Sequence, residues 1–294
     1  MSAVPRIGFM QGRLSPLVDS RIQAFPWEHW QREFGVAAEH GFGLMEWIVD
    51  QARLYENPLL TVAGRTEIAD LCRRHGVSIP SLTGDCFKQA PFWKVRGEVR
   101  ARLERDFLAV ADACATMRMS SMMLPLVDEG RLENDAQEDA LVGFLCDQRA
   151  FLATHGLQVT FESDHDAGDV ARFIDRLDPA GFGITYDIGD RAALGCDPTD
   201  DIAAFGARIR NVHVKDRVRG GGTVPLGTGD ADFAEAFAAL HRIGYRGSYI
   251  LQGARAADDD HVSVLCRYRD MTLGWLRQSA EGASPQHGMA PGAS

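Results

Sequence analysis

Cysteine is scarce and unpatterned in this chain. Its six residues, at positions 72, 86, 114, 146, 196 and 266, include no C-x-x-C pair. Neither a zinc ribbon nor a disulfide framework is therefore expected, and a reducing cytosol is the simplest setting. Positive charge is short as well: 31 Lys and Arg face 41 Asp and Glu, a net charge of −10. A nucleic-acid backbone wants clustered Lys and Arg, so no nucleic-acid partner is expected, although a few local arginines could still hold one phosphate. No uninterrupted apolar run approaches the roughly 20 residues of a membrane span, and Met1 to Pro5 lacks the apolar stretch of a secretory leader. The expectation is a cytoplasmic protein without a membrane partner. Also missing is a glycine-rich nucleotide fingerprint after the first apolar run, which argues against an open, doubly wound sheet.

What the chain does have is a repeated beat. Short apolar runs that read as strands fall at 6–10, 44–49, 77–82, 121–126, 158–162, 182–187, 209–214 and 245–252. Between them lie stretches of helical spacing at 27–40, 62–75, 95–117, 135–155, 167–177 and 197–207, then one led by Asp230 and Asp232, and a last one at 258–278. Several stop at a glycine (Gly41, Gly76, Gly156), the residue that suits a left-handed C-cap. Eight strand–helix units with 45% hydrophobic residues in 294 predict an α/β protein of the (β/α)₈ TIM-barrel type. Residues 1–280 are assigned to one barrel domain. The Gly-, Ala-, Ser- and Pro-rich residues 281–294 are assigned to a disordered tail.

In such a barrel the chemistry belongs at the C-terminal ends of the strands. Glu162 ends the fifth strand, Asp187 the sixth and Gln252 the eighth, while His213 sits in the seventh. One strand-end acid alone is more often a solvated loop residue or a helix cap. Four polar residues on consecutive strands converge on one side of the mouth. Two carboxylates, an imidazole and an amide oxygen form a ligand set for one divalent metal ion, such as Mn²⁺, Mg²⁺, Co²⁺ or Zn²⁺. The loop Gly220–Gly222 after the seventh strand can bring backbone close to a small ligand.

Five stretches carry a family resemblance: Ile7-Gly-Phe-Met-Gln-Gly-Arg-Leu-Ser-Pro16, Phe161-Glu-Ser-Asp164, Tyr186-Asp-Ile-Gly-Asp190, His213-Val-Lys-Asp216 and Val224-Pro-Leu-Gly-Thr-Gly-Asp230. Together they resemble the xylose isomerase-like TIM-barrel superfamily of sugar phosphate isomerases and epimerases. The resemblance implies a metal held by Glu162, Asp187 and His213, with position 252 as fourth ligand. Relatives carry a second Glu there, where this chain has Gln252, which can ligate through oxygen but cannot act as a base. Asp190 is a second departure, at a position where many relatives carry His or Asn. The resemblance further implies a substrate-binding Arg just beyond His213, which points to Arg219.

Arg255 and Arg13 are candidates for binding hydroxyls, a carboxylate or a phosphate. Arg217 is assigned to a surface ion pair, and Lys215 to pairing with Asp216 or to substrate. Glu46 and Asp85, at the ends of the second and third strands, are expected to support the site or touch substrate. His165 is expected to stay outside the pocket. Trp27, Trp47, Phe87 and Trp93 are candidates for an apolar wall under a sugar.

The expected function is a metal-dependent isomerase or epimerase of a sugar, sugar acid or sugar phosphate, working through an enediolate with Glu162 moving the proton. With a single base, aldose–ketose isomerisation is the simpler reaction to write. A lyase on a sugar acid uses the same enolate, and a carbohydrate binder that lost its second base is the reading from a different class. Repair of abasic DNA is disfavoured by the acidic balance. The partner expected is a small carbohydrate, and the chain is compatible with a homo-oligomer.

Overall fold

Eight strands wind into a cylinder in this computed structural model, which describes residues 6–282. They are β1 (Arg6–Met10), β2 (Leu44–Ile48), β3 (Ser78–Thr83), β4 (Ser121–Leu126), β5 (Gln158–Ser163), β6 (Phe182–Asp187), β7 (Ile209–Val214) and, after a small ribbon of β8 (Asp216–Arg217) and β9 (Thr223–Val224), β10 (Ser248–Leu251). All neighbours in the barrel are parallel, in the order β1-β10-β7-β6-β5-β4-β3-β2 with β2 returning to β1. The expected (β/α)₈ barrel is therefore the fold. The ribbon β8–β9 is antiparallel, and the glycine-rich stretch forms its turn.

The helices are α1 (Trp30–Glu39), α2 (Val62–His75), α3 (Asp85–Gln89), α4 (Gly97–Thr116), α5 (Asp135–Asp147), α6 (Arg149–His155), α7 (Ala167–Asp175), α8 (Ile188–Leu194), α9 (Pro198–Phe205), α10 (Phe233–Arg242) and α11 (His261–Gly282). Local chemistry sets their ends. Thr61 accepts from the Gly64 amide to open α2, and Gly76, at φ 66°, closes it in the left-handed region. Asp197 caps α9 ahead of Pro198, and Asp232 caps α10. Asp230, the other capping candidate, accepts the Arg219 amide.

Three boundaries differ from expectation. The helix expected over 135–155 breaks at Gln148, whose amide bonds Leu145 three residues back and tightens the turn. β10 starts at Ser248 because the Tyr245 hydroxyl donates to the Ser248 carbonyl, and its ring leaves no room for a Cβ at Gly247. The last helix runs on to Gly282, so the expected tail begins inside it; residues 283–294 lie outside the described residues. Among the described residues, no helix is long and apolar enough to cross a membrane.

The main apolar core fills the shell between strands and helices, with Phe9, Phe34, Trp47, Leu82, Phe107 and Phe161 all fully buried. Each such side chain contributes roughly 1.5–3 kcal/mol. The barrel interior is different. A small plug of Met10, Leu44 and Ile250 is separate from that core, and polar residues fill the neighbouring layers. Strand alternation explains the segregation, because every second residue points inward. Glu46 pairs in register with Met10 and Ser81, and His213 with Asp187 and Ile250.

Candidate active site

The site rests on Glu46. This carboxylate is fully buried and accepts from Ser81 Oγ at 2.5 Å, Thr83 Oγ1 at 2.6 Å, Asn211 Nδ2 at 2.7 Å and His213 Nε2 at 2.8 Å. Burial works to raise its pKa, but the charge and hydrogen bond of His213, with the two hydroxyls, hold it below the usual range. All its acceptor capacity faces protein, so Glu46 is a support for His213 and not the substrate contact considered from the sequence. An ionised carboxylate can only accept, so Nε2 carries a proton, and Nδ1 is the nitrogen that could ligate once its own proton is lost.

His213 Nδ1 lies 3.7 Å from Asp187 Oδ2. With Glu162 these residues offer three ligand atoms, all within 4.8 Å of one another and all on buried residues. Three buried atoms here have no partner, Glu162 Oε1, His213 Nδ1 and Gln252 Oε1, while Asp187 Oδ2 meets only the Lys215 ammonium at 2.8 Å. They come from the four positions that the strand ends nominated. Asp187 is aimed by its second job: its Oδ1 caps α8 by accepting the Asp190 amide at 2.8 Å, which leaves Oδ2 to Lys215. α8 and α3 are too short to show a hydrophobic period, and the sequence did not suggest them.

Cations crowd the open acids. Lys215 Nζ lies 2.8 Å from Asp187 Oδ2, 2.8 Å from Asp190 Oδ1 and 4.0 Å from Glu162 Oε1. It does not pair with Asp216, whose carboxylate instead accepts the backbone amides of Gly227, Thr228, Gly229 and Ala231. Arg217 donates to Asp190 at 2.9 Å and to the Gly221 carbonyl, pinning the ribbon turn over the mouth. Burial lowers the Lys215 pKa less than Asp187, Asp190 and Glu162 raise it, so the ammonium stays charged. Burial and the charge of Asp190 push Glu162 well above the usual carboxylate range, with Lys215 opposing them. His213 is raised to about 10: burial pulls it down, but the charge of Glu46 and the contacts with Asp187 and Glu46 prevail. Metal binding at Nδ1 would therefore displace a proton.

A cavity of about 500 Å³ opens above these groups, reached by Glu162, Asp190, Lys215, Gln252, Arg13 and Asp85 among others. That volume suits a small molecule. Two candidate arginines are absent from it. The Arg219 side chain is exposed and lies over Gly195, and Arg217, two residues earlier, lines the mouth instead. The Arg255 guanidinium donates to the Gly12 and Ser15 carbonyls, fastening the β10–α11 loop to the β1–α1 loop. Arg13 lines the cavity but donates to Ile22 O, Gln23 Oε1 and Gln252 O.

The expected aromatic wall is absent too. Trp47, Phe87 and Trp93 are buried in the apolar shell, and Trp27 packs under Arg53. His165 bonds the Leu132 carbonyl and lines a separate cleft of about 260 Å³. Gln23 and Lys88 line the mouth and were not anticipated. Gln23 lies on the long β1–α1 loop, where no periodicity marks it.

A closed parallel barrel with an acid–histidine cluster at one mouth defines a class. The chain belongs to the xylose isomerase-like TIM barrel family, whose profile matches residues 34–264. The Escherichia coli (strain K12) protein named "Putative L-ribulose-5-phosphate 3-epimerase SgbU" is 25% identical over 240 residues, covering 76% of this chain and 83% of that protein. A solved L-ribulose 3-epimerase superposes with a TM-score of 0.74 at 16% identity, over 97% of this chain and 100% of the other. A D-psicose 3-epimerase solved in the presence of D-fructose gives 0.68 at 14% identity, over 94% and 98%. Sugar epimerases are thus among the relatives of this chain.

Proposed function

We propose that the protein is a divalent-metal-dependent isomerase or epimerase of a small carbohydrate, moving a proton next to a carbonyl through an enediolate. The observation that carries this reading is the buried cluster of Glu162, Asp187 and His213, whose candidate ligand atoms lie within 4.8 Å of one another, together with the unmet Gln252 Oε1. Leaving even one buried polar atom unmet costs about 1–3 kcal/mol, so Glu162 Oε1, His213 Nδ1 and Gln252 Oε1 together argue for a group that completes them. An oxygen- and nitrogen-rich set with one imidazole suits Mn²⁺, Mg²⁺, Co²⁺ or Zn²⁺. When bound, such an ion supplies Lewis-acid polarisation of a substrate oxygen.

The chain's own groups divide the remaining work. Glu162, whose carboxyl reaches the cavity, takes the role of the group that moves the proton. Lys215 keeps positive charge beside the developing oxyanion, and Asp190 and Arg217 keep Lys215 and the ribbon in place. Gln252 has no basicity, so a proton shift by one base is better supported than a two-base exchange across the sugar.

The test combines metal analysis with exchange of solvent deuterium into a panel of free and phosphorylated ketoses. Exchange should require the ion and should fall about 10²- to 10⁴-fold in Glu162→Gln, with metal retained. Saturable sugar binding with no exchange in the unmodified protein would make it a binder and end the enzyme reading.

A further inference from the structure

Gln252 raises a problem of polarity. A carboxylate presents oxygen whichever way it turns, whereas an amide presents either oxygen or an NH₂ that cannot ligate a cation. Something must choose between the two orientations. A chain of hydrogen bonds across the mouth does so. Gln252 Nε2 donates to Gln23 Oε1 at 2.6 Å, and Gln23 Nε2 donates to Asp85 Oδ2 at 2.8 Å. Arg13 Nη2 donates to the same Gln23 oxygen at 3.3 Å and to the Gln252 carbonyl at 3.4 Å.

The chain can be read from its charged end. Asp85 is buried, 3.8 Å from Lys88 Nζ, and ionised it can only accept. Gln23 must therefore turn its NH₂ to Asp85 and its oxygen to Gln252. Gln252 must in turn give its NH₂ to Gln23, which leaves Oε1 buried and open. The anchorage is firm. Gln23 precedes buried Ala24 and Phe25, and the Phe25 amide is held by Asp50 at 2.9 Å.

We propose that Asp85 is a positioning residue which, through Gln23, orients the Gln252 amide so that its oxygen faces the metal ligands Glu162, Asp187 and His213. The inference rests on the metal-dependent reading above. It gives the segment that follows β3, three places round the barrel from β10, control over the fourth ligand.

Calorimetric titration of the metal-stripped protein with Co²⁺ alone tests it. Asp85→Asn removes the charge that sets the polarity, since an asparagine can face Gln23 either way. Co²⁺ binding should weaken about two- to tenfold, the size of one neutral hydrogen-bond preference. Gln23→Leu, which breaks the chain without touching either end, should weaken it in the same direction. In a Gln252→Glu background the sign should change. A carboxylate at 252 draws the Gln23 NH₂ to itself and turns the Gln23 oxygen on Asp85, so adding Asp85→Asn should leave Co²⁺ affinity unchanged or raise it.

An equal loss in both backgrounds would mean that Asp85 merely attracts the cation through space, and would overturn the proposal. So would unchanged affinity in both Asp85→Asn and Gln23→Leu, with melting temperatures showing both folded. If the unmodified protein takes up no Co²⁺, Mn²⁺, Mg²⁺ or Zn²⁺, the metal reading falls and this inference with it. Uptake by the parent without the sign change removes this inference alone.

Discussion

The two sides of the barrel treat buried acids in opposite ways. On the β1–β3 side three buried acids, Glu46, Glu33 and Asp50, have a donor at each oxygen. Glu46 meets four side chains, Glu33 takes the Gly12 and Leu14 amides at 2.9 and 3.0 Å, and Asp50 takes the Phe25 amide and Gln89 Nε2. On the β5–β7 side Glu162 Oε1 and Asp187 Oδ2 have no neutral donor, and only the Lys215 ammonium approaches them, at 4.0 and 2.8 Å, although Glu162 is 6% exposed and Asp187 2%. Burying a carboxylate is costly unless it is paired and hydrogen-bonded. The first arrangement is how a fold carries acids as framework; the second fits the ligand site proposed above. Burial alone does not separate the two, whereas hydrogen-bond satisfaction does.

Opening the satisfied side should have the largest effect. Glu46→Ala strips His213 Nε2 and Asn211 of their acceptor inside a closed interior. Removing one partner of a buried ion pair typically costs about 3–5 kcal/mol, so a marked fall in melting temperature is expected. Because Glu46 also fixes the proton on Nε2, metal affinity should drop about 10- to 100-fold under conditions where the variant is folded. A variant with parental stability and metal content would show that the network under His213 is not framework.

The barrel and the four clustered positions Glu162, Asp187, His213 and Gln252 were legible because they depend on short-range rules. Apolar runs alternate with helical periods, and polar residues at strand ends must face the mouth. Glu162, Asp187 and His213 each follow from that alone. What was not legible depends on where long side chains go. Arg217 and Arg219 are two residues apart and alike in sequence, yet the ribbon β8–β9 turns one to Asp190 and the other to solvent. Lys215 could have paired with its neighbour until the amides of residues 227–231 claimed Asp216. Gln23 carries no local signal, because its meaning comes from Gln252, 229 residues away.

A second prediction sharpens the comparison by pH. Glu33 is satisfied but still raised to about 7, because burial outweighs the Gly12 and Leu14 amides that favour its charge. An acid raised in the folded state binds its proton more tightly there than when unfolded. Its contribution to stability is therefore complete below about pH 4.5 and is lost as pH rises through 7. The span corresponds to a loss on the order of 3 kcal/mol. Denaturant titrations of the parent and Glu33→Gln from pH 4.5 to 8 should converge in slope above pH 7 and diverge below it, the variant lacking this pH dependence. It also gives up an acceptor for one of the two amides. Parallel curves across the range would place the Glu33 pKa near its unfolded value.

The smallest effect separates the two arginines at the rim. Arg217 is one-third exposed, and its contact with Asp190 is worth at most about 1 kcal/mol to stability, the usual range for such pairs. Its position matters more: it joins the ribbon turn to the acid that holds Lys215. Arg217→Ala should raise KM for whichever sugar shows exchange by up to about fivefold, with kcat less affected, because it loosens the wall without removing Glu162. Arg219→Ala should change neither constant, since the exposed side chain lies over Gly195 and its backbone bond to Asp230 survives the substitution. A raised KM in Arg219→Ala with a normal one in Arg217→Ala would mean that the ribbon turns over when sugar binds. The open side of the barrel would then extend one ribbon turn beyond the mouth described above.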